Sequence, residues 1–211
     1  LYWASEELDD PRFHQIAMMH ADTALEHFIR PDGSVNHIVE FDPETGIETG
    51  THGGQGYGTG SSWTRGQGWA IYGFAISYRH TGKQEYLDAA KRVAHYFISN
   101  IPENGRIPID FRMPKEPYYE DSTAAAIASC GLLEIARFVD ELQRPLYLGA
   151  ALKLLRALTD SRCDWDPERD GILEKCSGSY SEEKHEYNII YGDYYLLEAL
   201  LKLEDHDLWI W

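Results

Sequence analysis

WAIYGFAISYRHTGKQEYLDAAKRVAHYFI, residues 69–98, reads as two helices around one turn. Trp69 to His80 is apolar nearly all round, and Thr81-Gly82-Lys83 interrupts it. Glu85 to Ile98 then places its apolar residues on one face and its charges on the other, the pattern of a helix lying on a core. Residues 122–159 repeat the plan: STAAAIASCGLLEIARFVD, a break at Arg144-Pro145, then YLGAALKLLRAL. Residues 1–30 are a shortened copy, LYWASEEL, a break at Asp9-Asp10-Pro11, then FHQIAMMHADTALEHFI. A last apolar helix, YNIIYGDYYLLEALLKL, occupies 187–203. Helices of the first kind belong inside and those of the second kind outside. Polar stretches at 31–62, 100–121 and 160–186 separate the pairs. Inner–outer hairpins with a period of roughly sixty residues mark an α/α toroid. The expected fold is all-α: one domain over 1–211 with about three and a half hairpins, an incomplete (α/α)6 barrel lacking N-terminal helices. An open helical array satisfies the same periodicity.

Composition limits the function classes. The 211 residues, 43% hydrophobic, are enough for one core. The 14 Tyr and 6 Trp favour aromatic-lined grooves over disorder or fibre. A formal charge of −16 argues against nucleic acid and anionic membrane surfaces as partners. It also opposes an anionic ligand, unless local cations outweigh it. Cys130, Cys163 and Cys176 are an odd set without CxxC spacing, which reads as reduced thiols rather than zinc ligands or a disulfide framework. That usage points to the cytoplasm. No run of residues has transmembrane length.

In a toroid, the loops that enter the inner helices gather at one mouth, so polar residues there are the first functional candidates. The richest corner is QGYGTGSSWTRGQGW, residues 55–69, a glycine-rich loop entering a helix. Ser61 or Ser62 is the expected N-cap. Arg65 and Trp69 are four apart and share a helix face. A guanidinium can grip a carboxylate and an indole can stack on a sugar, so the pair fits an acidic carbohydrate. His37 in GSVNH is a loop histidine, a type more often structural or solvated, and Gln55 beside its glycines could hydrogen-bond a sugar hydroxyl. Asp121-Ser122-Thr123 reads as a helix N-cap rather than a catalytic group, and Asp193 sits in an inner helix, where a carboxylate needs a partner. No two acidic residues stand out as a glycosidase pair. Walker, dinucleotide, GxSxG and HExxH signatures are absent from the sequence. His14, His20 and His27 read as packing or surface residues of an outer helix.

LYWASEE, GSVNH with FDPETG, QGY, SSWTRGQGWAIYGF, EDSTAAAIASCGLLE and YGDYYLLEALLKL together resemble the unsaturated glucuronyl hydrolases, glycoside hydrolase family 88, over essentially the whole chain. Ser61 to Phe74 is the most specific match. The resemblance implies an (α/α)6 barrel that removes a 4,5-unsaturated uronic acid from lyase-generated oligosaccharides. An aspartate protonates the C4=C5 bond and activates a water that adds at C5, with no metal or cofactor. Carried over, His37, Gln55, Arg65 and Trp69 contact the unsaturated uronate or its neighbour, with Trp63, Thr51 and Gly53 as further candidates. The family's catalytic aspartate begins a segment resembling D-x-M-M-N-L-P-L that would precede Leu1. The chain alone is therefore expected to contain no catalytic residue and to be inactive; its expected state is a monomer or homodimer. Gly58-Thr59-Gly60 also departs from the family, which carries acidic residues after QGY. Unsaturated rhamnogalacturonyl hydrolases and a non-catalytic glycan-binding module are the alternative readings.

Overall fold

The computed structural model describes residues 1–206. Its helices are α1 (Tyr2–Leu8), α2 (Pro11–His27), α3 (Thr64–Thr81), α4 (Gln84–Ser99), α5 (Ser122–Phe138), α6 (Arg144–Ser161) and α7 (Ile190–Leu203). Every helix expected from the repeat is present, and the breaks have local causes. Asp10 caps α2 by accepting from the Arg12 amide, and Pro11 follows where a missing N–H costs nothing. Gly82 ends α3 in the left-handed region at φ 66°, its N–H donating to the Tyr78 carbonyl.

The inner row is α3, α5 and α7, and α5 is its centre. Fifteen of its residues, Ser122 to Ala136, are buried, and it packs on α3, α6 and α7. The α3–α5 contact runs backbone to backbone. A Cβ at Gly131 would lie 2.7 Å from Ile71 Cγ2 and 2.8 Å from the Tyr72 nitrogen. Glycine inside a helix weakens it by about 1 kcal/mol, and close approach is what it permits in return. The outer helices behave differently. On α6 the buried set is Tyr147, Ala150, Ala151, Leu154, Leu155 and Leu158, a single stripe at helical spacing. This is the inner–outer division that the α/α reading requires.

α2 is seated less tightly. Only Ala21 of its residues is buried, while Ile16 and Met19 face outward. The loop before α3 contains an element the sequence did not reveal, an antiparallel pair of β1 (Ile38–Phe41) and β2 (Glu48–His52). Asp42 closes its turn by accepting from the Glu44 and Thr45 amides, and Gly46 takes φ 69°. Among the described residues no helix is long and apolar enough to cross a membrane.

Candidate functional site

The three long loops meet at the N-terminal ends of α3, α5 and α7. Residues 62–64 pair with 109–111: the Ser62 amide donates to Asp110, Thr64 N–H to the Ile109 carbonyl, and Phe111 N–H to the Ser62 carbonyl. Asp110 is fully buried and also accepts from the Tyr57 and Arg112 amides. One carboxylate thus pins both ends of the glycine-rich loop. This arrangement displaces the expected serine cap. Trp63 occupies the N-cap position without a capping side chain. The hydroxyl of Ser62 instead accepts from Gln67 Nε2, and that of Ser61 from the Gly58 amide. The ends of α5 and α7 are tied in likewise: Ser122 N–H donates to the Lys175 carbonyl, and buried Asp193 accepts from the Ile172 and Leu173 amides.

Beneath this mouth lies a cavity of about 660 Å³ between α2 and α3. Its origin is legible in the spacing of small residues. Ala17, Ala21 and Ala24 on α2 oppose Gly66, Ala70 and Gly73 on α3, both sets at i, i+4, i+7. Two facing helix stripes without bulk leave room between them. At its upper end the cavity is walled by His37, Gln55, Trp63 and Trp69. His37 stacks on Trp63 with ring centroids 4.2 Å apart, and Trp69 meets Tyr195 edge to face at 5.2 Å. The Gln55 amide N–H donates to His37 Nδ1 at 2.9 Å. An amide nitrogen can only donate, so Nδ1 is the acceptor and the ring proton sits on Nε2. Gly53 O, 3.0 Å from the same Nδ1, is then a close neighbour of that nitrogen rather than an acceptor from it. The side chain of Gln55 donates to the Gly178 carbonyl, which joins the third loop to the wall.

Four of the seven residues singled out by sequence therefore converge, and three do not. Arg65 is 2% exposed and does not line the cavity. Its Nε donates to Asp121 at 3.0 Å, Nη1 to the Tyr191 hydroxyl at 2.6 Å, and Nη2 to the Ser177 carbonyl. Burial alone would depress the guanidinium, but the adjacent Asp121 carboxylate more than offsets it and the pKa moves up. Arg65 and Trp69 both approach Tyr191, and within this chain the carboxylate that the guanidinium grips is Asp121. Asp121, in turn, is no side-chain cap; its second oxygen accepts from the Ser177 amide. Thr51 is paired with Val39 in the hairpin, and Gly53 meets the wall only through His37, so neither lines the cavity. The supports are Asp110, Asp121, Ser177 and Tyr191; the sequence offers Asp121 only as a helix cap and gives Ser177 and Tyr191 no role.

Chain comparisons agree with this architecture. The unsaturated glucuronyl hydrolase of Bacillus sp. strain GL1 is 43% identical over 97% of the chain and 55% of that protein. The crystal structure from Bacillus sp. GL1 superposes with a TM-score of 0.90 at 41% identity, covering 96% of this chain and 55% of the other. Along nearly its whole length the chain is similar to unsaturated glucuronyl hydrolases. It spans about half the length of the curated relatives it matches. An unsaturated chondroitin disaccharide hydrolase of Streptococcus pyogenes serotype M1 is 34% identical over 96% of the chain and 52% of the relative. A Streptococcus agalactiae glucuronyl hydrolase variant, complexed with dGlcA-GalNAc6S, matches with a TM-score of 0.85 at 30% identity, over 98% and 56% of the two chains. No family signature matches the chain. The inner–outer helical packing is accordingly that of an α/α barrel. Among the described residues no cluster of three or more His, Cys, Asp or Glu side chains is placed to hold a metal ion.

Proposed function

We propose that this chain supplies the sugar-binding wall of a glycoside hydrolase that removes a 4,5-unsaturated uronic acid from lyase-generated oligosaccharides. The observation that carries the reading is the convergence of His37, Gln55, Trp63 and Trp69 on one cavity in a chain with this similarity. Indoles offer flat apolar faces to a sugar ring, while the His37 Nε2–H supplies a directed donor. In the reaction, C4 gains a proton from a carboxylic acid as a water oxygen bonds to C5. The water's proton passes to the carboxylate, and the C5 hemiketal opens and releases the remaining saccharide.

On this reading the acid comes from outside these 211 residues, as the family resemblance implies, and the cavity lining is compatible with that. No Asp or Glu is among the residues lining the cavity, and Asp110, Asp121 and Asp193 are each engaged by amides or by Arg65. We therefore assign the chain to one part of a barrel whose complementary helices bring that carboxyl group. The three unpaired cysteines support a reducing compartment, the cytoplasm.

The test follows loss of the C4=C5 absorbance of unsaturated chondroitin disaccharide, with this chain run beside a version extended to the full length of its relatives. Turnover only in the extended form is expected, with saturable quenching of tryptophan fluorescence in both. Turnover by the 211 residues alone would place the acid among them and refute the assignment. Saturable binding without turnover in either form would favour a glycan-binding module.

A further inference from the structure

Arg30 lies outside the cavity, and neither the reaction nor the sugar wall uses it. It closes a tight loop in which the Ile29–Val35 bridge brings the end of α2 against the segment leading to His37. Arg30 N–H donates to the Ser34 carbonyl, and Gly33 turns the chain at φ 86°. The side chain then reaches two separate segments. Nε donates to Asn36 Oδ1 at 2.9 Å and Nη2 to the Val35 carbonyl at 2.6 Å, both immediately before His37. Nη1 donates to the Gly60 carbonyl at 2.9 Å and Nη2 to the Ser61 carbonyl at 2.5 Å, at the far end of the loop that begins with Gln55.

All four acceptors are neutral oxygens, three of them backbone carbonyls. The charges of Asp32 and Asp110 reach the guanidinium, but its hydrogen bonds go to these neutral oxygens and fix a geometry. Only a planar fork with five donors can serve four acceptors spread over two segments, and an ammonium with three donors cannot. His37 directly follows the first segment, and Gln55, whose amide donates to the His37 ring, begins the loop that ends in the second.

We infer that Arg30 is a positioning residue, clamping the Val35–Asn36 and Gly60–Ser61 segments so that the Gln55 amide fixes the His37 ring toward the sugar. The clamp stands on its own geometry, and its consequence for saccharide binding rests on the function proposed above.

The test is Arg30→Lys and Arg30→Met in the same chain, read by amide hydrogen exchange and by the ring ¹⁵N shifts of His37. Exchange at Gln55 is expected to rise about tenfold or more, as for loss of a local opening barrier of that size, with α5 amides unchanged. The His37 shifts should lose the signature of a proton held on Nε2. Binding of unsaturated chondroitin disaccharide, read by tryptophan fluorescence, should weaken by about tenfold. Unchanged Gln55 exchange and His37 shifts in both variants would overturn the clamp. A uniform rise through α5 would also overturn it, by making Arg30 a general stabiliser. If Arg30→Met fails to fold, Arg30→Lys keeps charge and length and tests the fork alone. Full saccharide affinity in a variant whose Gln55 amide has opened would overturn the link to binding. Absence of binding in the unmodified chain would count against the proposed function, with exchange and ring shifts still deciding the clamp.

Discussion

Arg65→Met is the substitution that separates a framework role from a ligand-contact role. In the structure Arg65 and Asp121 are 2% and 0% exposed, with Nη2 and Nε both 3.0 Å from Asp121 Oδ2. Among the described residues, removing the guanidinium leaves the buried carboxylate with the Ser177 amide alone, at 3.3 Å. Truncating one partner of such a pair costs about 3–5 kcal/mol, because the other charge stays buried. For a domain of this size each kcal/mol shifts the melting temperature by about 2–4 °C, so the expected loss is roughly 6–20 °C. Asp121→Asn should cost less, about 1–3 kcal/mol, since Arg65 keeps Tyr191, Ser177 and a neutral oxygen. The double variant should be more stable than the sum of the two losses, by about 1–3 kcal/mol of coupling. Denaturant melts of all four proteins give the cycle. Additive losses, or a cost for Arg65→Met below about 1 kcal/mol, would refute the framework assignment. A loss of saccharide affinity at undiminished stability would return Arg65 to the binding wall.

Three further outcomes follow from packing and titration. Gly131→Ala drives a methyl into the α3 backbone at Ile71 and Tyr72, and should cost about 1–3 kcal/mol in a thermal melt despite alanine's better helix propensity. Burial raises the thiol of Cys163 to about 11 and that of Cys176 to about 12, so mass spectrometry after alkylation at about pH 8 should find them unmodified until the chain unfolds. Burial tends to raise Glu186, but its bonds to Lys175 and the Glu120 amide prevail and hold its pKa below the usual carboxylate range. A depressed folded value stabilises above the unfolded pKa of about 4.3 and is lost as pH falls through the folded value. Glu186→Gln should therefore flatten the acid limb of a stability–pH curve below about 4.3 and lower its plateau.

The architecture was legible because burial and periodicity reinforce each other in these helices. An apolar run such as Ala124–Ala136 has no polar face to present to water, and Asp10-Pro11 and Gly82 punctuate at positions where backbone chemistry forces a break. His37, Gln55, Trp63 and Trp69, which line one cavity, are singled out by loop position, helix face and family pattern. The supports are not. Asp121 lies 56 residues from Arg65 and looks locally like a helix cap, a reading that no spacing rule corrects. Ser177 and Gly178 act through carbonyls, and Arg30 through carbonyl acceptors, so their side-chain identities carry little signal. The hairpin at 38–52 is short and half exposed, and only its Asp42–Gly46 turn had a mechanism visible in advance. The cavity was hidden for a related reason. Ala17, Ala21 and Ala24 read as ordinary helix formers until α3 is seen to oppose them with small residues of its own.

The chain carries a formal −16, yet none of the residues lining the cavity is Asp or Glu. Arg65, the cation nearest this corner in sequence, is paired with Asp121 and is not among the residues lining the cavity. An anionic uronate would thus meet indole, imidazole and amide groups inside, and a repulsive field outside. The field acts over a Debye length of about 8 Å at physiological salt, whereas stacking and neutral hydrogen bonds are insensitive to ions. Added salt should screen the repulsion and leave the contacts intact, so affinity for the unsaturated disaccharide should rise between about 20 and about 300 mM salt. A direct ion pair would give the opposite slope. Fluorescence titration across that range reads the sign, and affinity falling with salt would require a cation on the sugar that this structure places elsewhere.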